Sequence, residues 1–123
     1  MEKCQMKIYR FDSEIGRMVN QYNSSELIIS KVAHVFEEAV VNCAYLGASG
    51  TMGYHQATLP QLFLVVRGEG WVRGESPGKT SIRPGQAAYW EIGEWHESGT
   101  DTGMTAIIIE GIRFDPANLM LPV

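Results

Sequence analysis

The stretch GYHQATLPQLFLVVRGEGWVRG, Gly53 to Gly74, decides the fold. Its first part, YHQATL (54–59), alternates polar and apolar residues, the period of a strand with one face buried. QLFLVVR (61–67) is nearly continuously apolar, so both faces of that strand are expected to be buried. GEG (68–70) is a turn, and WVRG (71–74) resumes a strand. No helix pattern follows the glycines, so they do not form a phosphate loop, which needs a strand–loop–helix unit.

Outward from this stretch the texture is the same. ELIISKVAHV (26–35) and EAVVNCAYLG (38–47) are rich in β-branched residues and read as strands. GASGTMG (47–53) reads as a flexible turn, and ESPGKT (75–80) carries a Pro-Gly hairpin signal. Residues 81–114 add two or three strands, punctuated at Pro84-Gly85, at Gly93 and at SGTDTG. Strands spaced this closely between Gly-rich turns predict an all-β antiparallel sandwich or barrel. MKIYRF (6–11) reads as a short strand. DSEIGRMVNQYNSS (12–25) predicts a short N-terminal helix. Asp12 or Ser13 would cap it, and Ile15, Met18, Val19 and Tyr22 fall at i, i+3, i+4 and i+7. Gly16 weakens that helix, and Asn23-Ser24-Ser25 ends it. The tail, DPANLMLPV (115–123), is apolar for a terminus and is expected to pack back on the domain or against a partner chain.

The chain has 123 residues, 45% of them apolar and 20% charged, with a formal net charge of −4. That size suits one domain with one core. We expect a core barrel at about 26–114, an N-terminal arm at 1–25 and a C-terminal tail at 115–123. No cluster of Lys and Arg points to nucleic acid or an anionic membrane surface. No apolar run approaches the ~20 residues of a membrane helix. MEKCQMKIYRF lacks a hydrophobic signal core, so a cytoplasmic setting is expected. Cys4 and Cys43 form no CxxC pair and read as reduced packing residues.

Two motifs in this chain resemble those of the cupin superfamily. The family's first motif is Gly, then His-x-His, a few residues, Glu, six residues and Gly; here Gly50, His55, Ala57, Gln61 and Gly68 answer to it. The second is Pro and Gly, a strand, then His; here RPGQAAYWEIGEWH supplies Pro84, Gly85 and His96. RGEGWV is similar to the usual turn between the motifs. The resemblance implies a small RmlC-like cupin, a double-stranded β-helix or jelly-roll barrel. It also implies an interior metal position for Zn, Fe, Mn or Ni, built in relatives from three imidazoles and a carboxylate. Here His55 and His96 keep imidazoles, Ala57 cannot ligate, and Gln61 offers only a neutral amide. The implied metal position is therefore weak or vacant, formed at most by His55, Gln61, His96 and water.

Alternation from Gln61 puts Phe63, Val65 and Arg67 on the interior face, with Arg67 at the mouth. Tyr54, Trp90 and Trp95 flank the motif histidines and are candidate stacking platforms, against the reading that they are core or interface residues. Glu94 shares the parity of His96 and is a remote substitute for the missing carboxylate. Glu91 and Glu97 read as surface charges, and His34 as structural.

The function expected from this set is small-molecule binding in the barrel, for a sugar or carboxylic acid. One alternative is a metal-dependent dioxygenase or isomerase using two histidines, Gln61 and water. Another is a metal-free sugar isomerase or epimerase, with His55 or His96 as base and Tyr54 or Tyr89 as acid. The resemblance also implies a homodimer, through N-terminal strands whose edges would otherwise stand bare.

Overall fold

A computed structural model describes residues 5–35, 37–111 and 116–123. Cys4 and the expected barrel boundary at 114 lie outside the described residues. The strands in chain order are β1 (Lys7–Arg10), β2 (Arg17–Met18), β3 (Ile28–Ile29), β4 (Ala39–Leu46), β5 (Thr51–Gln56) and β6 (Gln61–Gly68). They continue with β7 (Gly70–Arg73), β8 (Thr80–Ile82), β9 (Gln86–Trp90), β10 (Trp95–Gly99), β11 (Met104–Gly111) and β12 (Leu121–Pro122). One short helix, α1 (Pro116–Leu119), precedes β12.

The strands form a six-stranded sheet in the order β12-β1-β9-β6-β11-β4 and a four-stranded sheet in the order β5-β10-β7-β8. All pairings within them are antiparallel. Between the sheets lies a core of Phe63, Val65, Val72, Ile82, Trp90 and Ile108, with Ala88, Met104 and Ala106. The outward face of the large sheet carries a second cluster, where Leu62 and Leu64 meet Tyr9, Ala87 and Met120. Burial on both faces is why QLFLVVR lacks alternation. Met120 is buried, Leu121 and Pro122 pair with Arg10 and Tyr9, and the Val123 N–H donates to the Ile8 carbonyl at 3.1 Å. The apolar tail therefore packs on its own domain.

The chain crosses between sheets at glycines. Gly68 ends β6 in the large sheet and β7 begins in the small one, so GEG is a corner rather than a hairpin between paired strands. Gly68 has φ +72°, and a Cβ there would drive into the Gly103 carbonyl oxygen. Across 75–79, β7 and β8 do pair as the hairpin signal predicts.

The N-terminal segment differs from expectation. In place of a helix over 12–25 there are two three-residue 3-10 turns, Ser13–Ile15 and Gln21–Asn23. Asp12 still caps the first, accepting from the Glu14 N–H at 3.3 Å. Between the turns Arg17–Met18 pairs with Ile28–Ile29, and Gly16 lies so close that a Cβ would sit 2.9 Å from the Ile29 carbonyl oxygen. Strand pairing overrides the helical period at the glycine. The strand expected over 26–35 shrinks to Ile28–Ile29, while Val32 and Ala33 pack on the outward cluster of the large sheet. β5 begins at Thr51, inside the segment expected to be a turn.

Candidate functional site

His55 and His96 are direct cross-strand partners on β5 and β10. Their rings stand 4.4 Å apart, centroid to centroid, tilted by 57°. On its other side the His96 ring stacks on Trp90, at 4.3 Å and 22°. Trp90 belongs to β9 in the opposite sheet, so the stack bridges the barrel. His55 is exposed and forms the outer end, whereas His96 is 3% exposed.

Backbone carbonyls set the tautomers. A carbonyl oxygen only accepts, so the nitrogen facing it carries the proton. His55 Nδ1 lies 2.6 Å from the Gly53 carbonyl oxygen, and His96 Nδ1 lies 3.4 Å from that of Glu94. Each Nε2 is then left as an acceptor. His96 Nε2 is fully buried and has no hydrogen-bond partner, a vacancy worth about 1–3 kcal/mol of lost solvation. Burial drives the His96 pKa down to about 4, and the adjacent His55 pushes the same way, so His96 is neutral at pH 7.

Across the large sheet Trp90, Gln61 and Glu110 are in register on neighbouring strands and share the interior face. Gln61 is buried, and its Nε2 donates to Glu110 Oε1 at 2.8 Å. The amide considered as a metal ligand is thus engaged with a carboxylate. Glu110 was not among the sequence candidates. Its parity with Ile108 along AIIIEG was the available signal, but nothing in the sequence says which β11 residue lies opposite Gln61. Ala57 is buried just past the end of β5, with its N–H on the Glu94 carbonyl and its own carbonyl accepting from Gly93, both at 2.9 Å. The buried carboxyl of Glu94 accepts from the Glu91 N–H at 2.5 Å instead of reaching the histidines. Desolvation raises its pKa.

Other candidates lie elsewhere. Phe63, Val65 and Trp90 do face the interior, but as close-packed core that fills the barrel beneath Gln61. Arg67 is not at the mouth. The β6–β11 register slips at Val66, between the pairs Ala106–Val65 and Thr105–Arg67, and both Val66 and Arg67 are exposed. A one-residue bulge reverses parity, which turns Arg67 outward at the far end of β6. Tyr54 and Trp95 pack edge to face at 5.4 Å, with the Arg73 guanidinium 4.2 Å over the Tyr54 ring. Arg73 in turn donates to Glu97 at 2.6 Å. This group occupies the outer face of the small sheet, because Arg73 alternates with the buried core residue Val72. Tyr54 is therefore not a proton donor to the interior site.

The donor set does not fit a tightly held resident metal ion. Two imidazole Nε2 atoms are available, yet no group of three or more His, Cys, Asp and Glu side chains among the described residues is placed to hold an ion. No helix among the described residues is long and apolar enough to cross a membrane.

No protein-family model and no curated protein matches the chain. Solved structures do. A cupin superfamily protein from Desulfitobacterium hafniense aligns with TM-score 0.57 at 10% identity, over 67% of this chain and 77% of that one. An RmlC-like cupin with a double-stranded β-helix fold from Methanocaldococcus jannaschii aligns with TM-score 0.57 at 11% identity, over 85% and 93%. The DMSP lyase DddQ from Ruegeria pomeroyi aligns with TM-score 0.56 at 14% identity, over 84% of this chain and 55% of the enzyme. The fold is that of a small cupin, the RmlC-like double-stranded β-helix.

Proposed function

We propose that this chain binds a small molecule at the barrel mouth, over the His55–His96–Trp90 stack, with its metal position weak or vacant. One observation carries the reading. His96 Nε2 is buried without a partner at the second-motif position, while Ala57 has removed one donor and Glu110 has engaged Gln61. The test is elemental analysis of protein purified without a metal-affinity tag, beside a His55→Ala/His96→Ala variant. Sub-stoichiometric metal in both, with small-molecule binding lost in the variant, is the expected result. A near-stoichiometric transition metal that vanishes in the variant would overturn it.

That second outcome would favour the enzyme alternative. Its support is the unpartnered His96 Nε2 beside the exposed His55 ring, together with a lyase among the proteins of similar fold. The metal-free epimerase reading has less support, since Tyr54 faces outward and Tyr89 packs on the outward cluster of the large sheet opposite Leu62.

We also propose a homodimer, though not through the N-terminal strand, because β1 already pairs with β9 and β12. β4 is the long bare edge of the large sheet. It carries no charge and no proline, and Val40, Val41 and Tyr45 on it are 57%, 61% and 78% exposed. Edges meant to stay free are charged, short or bulged. The occupant we infer is a second copy, because AVVNCAYL complements itself. Antiparallel pairing about a two-fold through Cys43 sets Val41 of one copy opposite Tyr45 of the other, on one face. A reduced, cytoplasmic setting belongs to the same proposal, as Cys43 is a free, exposed thiol.

A further inference from the structure

Resting on the small-molecule reading above, we infer that the barrel mouth selects a small organic cation bearing N–H donors, of the ammonium type, and rejects carboxylates. The inference comes from the hydrogen-bonding character of the side chains that share this half of the interior: His55, Gln61, Trp90, His96 and Glu110. None is a lysine or arginine, and one is an acid.

The acceptors outnumber the donors. His55 and His96 each spend their N–H on a backbone carbonyl and turn Nε2 toward whatever comes next. His96 Nε2 is the buried atom with nothing to accept from. One Glu110 oxygen holds the Gln61 amide, and the carboxylate keeps its second oxygen as an acceptor. The Trp90 N–H is also buried without a partner, but it points away, toward Gly74, where a Cβ would sit 3.9 Å from it. A guest must therefore bring donors, and its charge must suit Glu110.

The cations that would welcome an anion are placed elsewhere. Arg73 is held outside by Tyr54 and Glu97. Arg67 is turned outward by the bulge at Val66. Arg10 is forked onto Asp12 at 2.8 and 2.7 Å, on the strand end that pairs with Gln86 rather than Trp90. Lys79 lies 4.0 Å over the Trp71 ring on the outer face of the small sheet. Lys7, at the end of β1 nearer Trp90, is exposed beside Tyr89 on the outward face, although its charge reaches Glu94. A carboxylate entering the mouth would lose its hydration, meet Glu110 and find none of these cations on the interior face. An ammonium donates a charge-assisted hydrogen bond to Glu110 and can donate further to Nε2 of the exposed His55.

The experiment is an NMR titration of the whole chain, in chelator, with three probes of one shape: cyclohexylammonium, cyclohexanol and cyclohexanecarboxylate. The His55, His96 and Gln61 side-chain resonances report occupancy. The expected order is ammonium roughly tenfold tighter than the alcohol, with the carboxylate weakest. Glu110→Gln should bring the ammonium to within about threefold of the alcohol, and Glu110→Asp should retain most of the preference. Should Glu110→Gln not fold, the wild-type ranking and Glu110→Asp decide. A carboxylate that binds as well as the ammonium, or a preference that survives Glu110→Gln, overturns the charge selection and leaves the small-molecule reading standing. No shift of those resonances by any of the three overturns the small-molecule reading itself.

Discussion

Acid should unfold this protein through His96. Its imidazole is sealed between Trp90 and His55, and burial lowers its pKa from 6.5 to about 4. In the unfolded chain the ring takes up its proton near 6.5; in the folded chain it resists until about pH 4. The unfolded state thus binds more protons throughout that window, so stability is full above it and falls as the pH drops through it. Between pH 7 and pH 5 the linkage amounts to about 2 kcal/mol, or roughly 5–10 °C in Tm for a domain of this size. Glu94 works the other way. Its pKa is raised by burial, so it contributes stability at low pH that is lost as the pH rises through its folded value. The clean comparison is therefore made in a Glu94→Gln background, which keeps an acceptor for the Glu91 N–H. There, urea unfolding at pH 7 and pH 5 is measured with His96 and with His96→Phe, whose ring can still stack on Trp90. The loss on acidification should be about 2 kcal/mol smaller in His96→Phe. Equal losses, or a His96 ring that titrates near 6.5 by NMR, would refute the argument that this imidazole is sealed and neutral.

Other outcomes follow from particular contacts. Gly70→Ala should destabilise by more than about 2 kcal/mol in thermal or urea melts, because its Cβ would meet the Gly99 backbone carbonyl, which cannot swing aside. Mild oxidation of a Cys4→Ser chain should give a covalent dimer through Cys43, and Val41→Lys should shift sedimentation to the monomer; a monomeric wild type at micromolar concentration would remove the β4 pairing. Trp95→Ala and Tyr54→Ala should leave cyclohexylammonium binding within about twofold, since both rings lie on the outer face and lose only surface contacts. A tenfold loss in either would put those rings back at the mouth.

What was legible in the sequence was local. The β-branched run at 38–47, the apolar run at 61–67 and the Gly-rich corners follow from alternation and turn chemistry, which act over a few residues. The pairing of His55 with His96 could be expected only after the motifs had suggested the barrel. Features that depend on register were not legible. Val66 shows why: nothing in LFLVVRG marks which valine will bulge, yet that one residue sends Arg67 outward and strips the interior of a cation. Gly16 shows the same limit at the other end, where pairing with Ile28–Ile29 cancels a plausible helix.

Glu110 is the most telling case. A search for a carboxylate near the histidines looks where the motif has one, at Gln61, or nearby in sequence, at Glu94. The fold brings one in from β11 instead, across the ladder from Gln61 and 49 residues away in sequence. The amide and the carboxylate then form a pair that neither position implies alone. Replacing a motif carboxylate by glutamine looks like a loss of charge when read along one strand. Read across the sheet, the charge is still present, moved over by one strand and bonded to the amide that stands in its former place. Among the described residues it joins no group of three metal-binding side chains, and in the proposed site it would set the sign of what the mouth accepts.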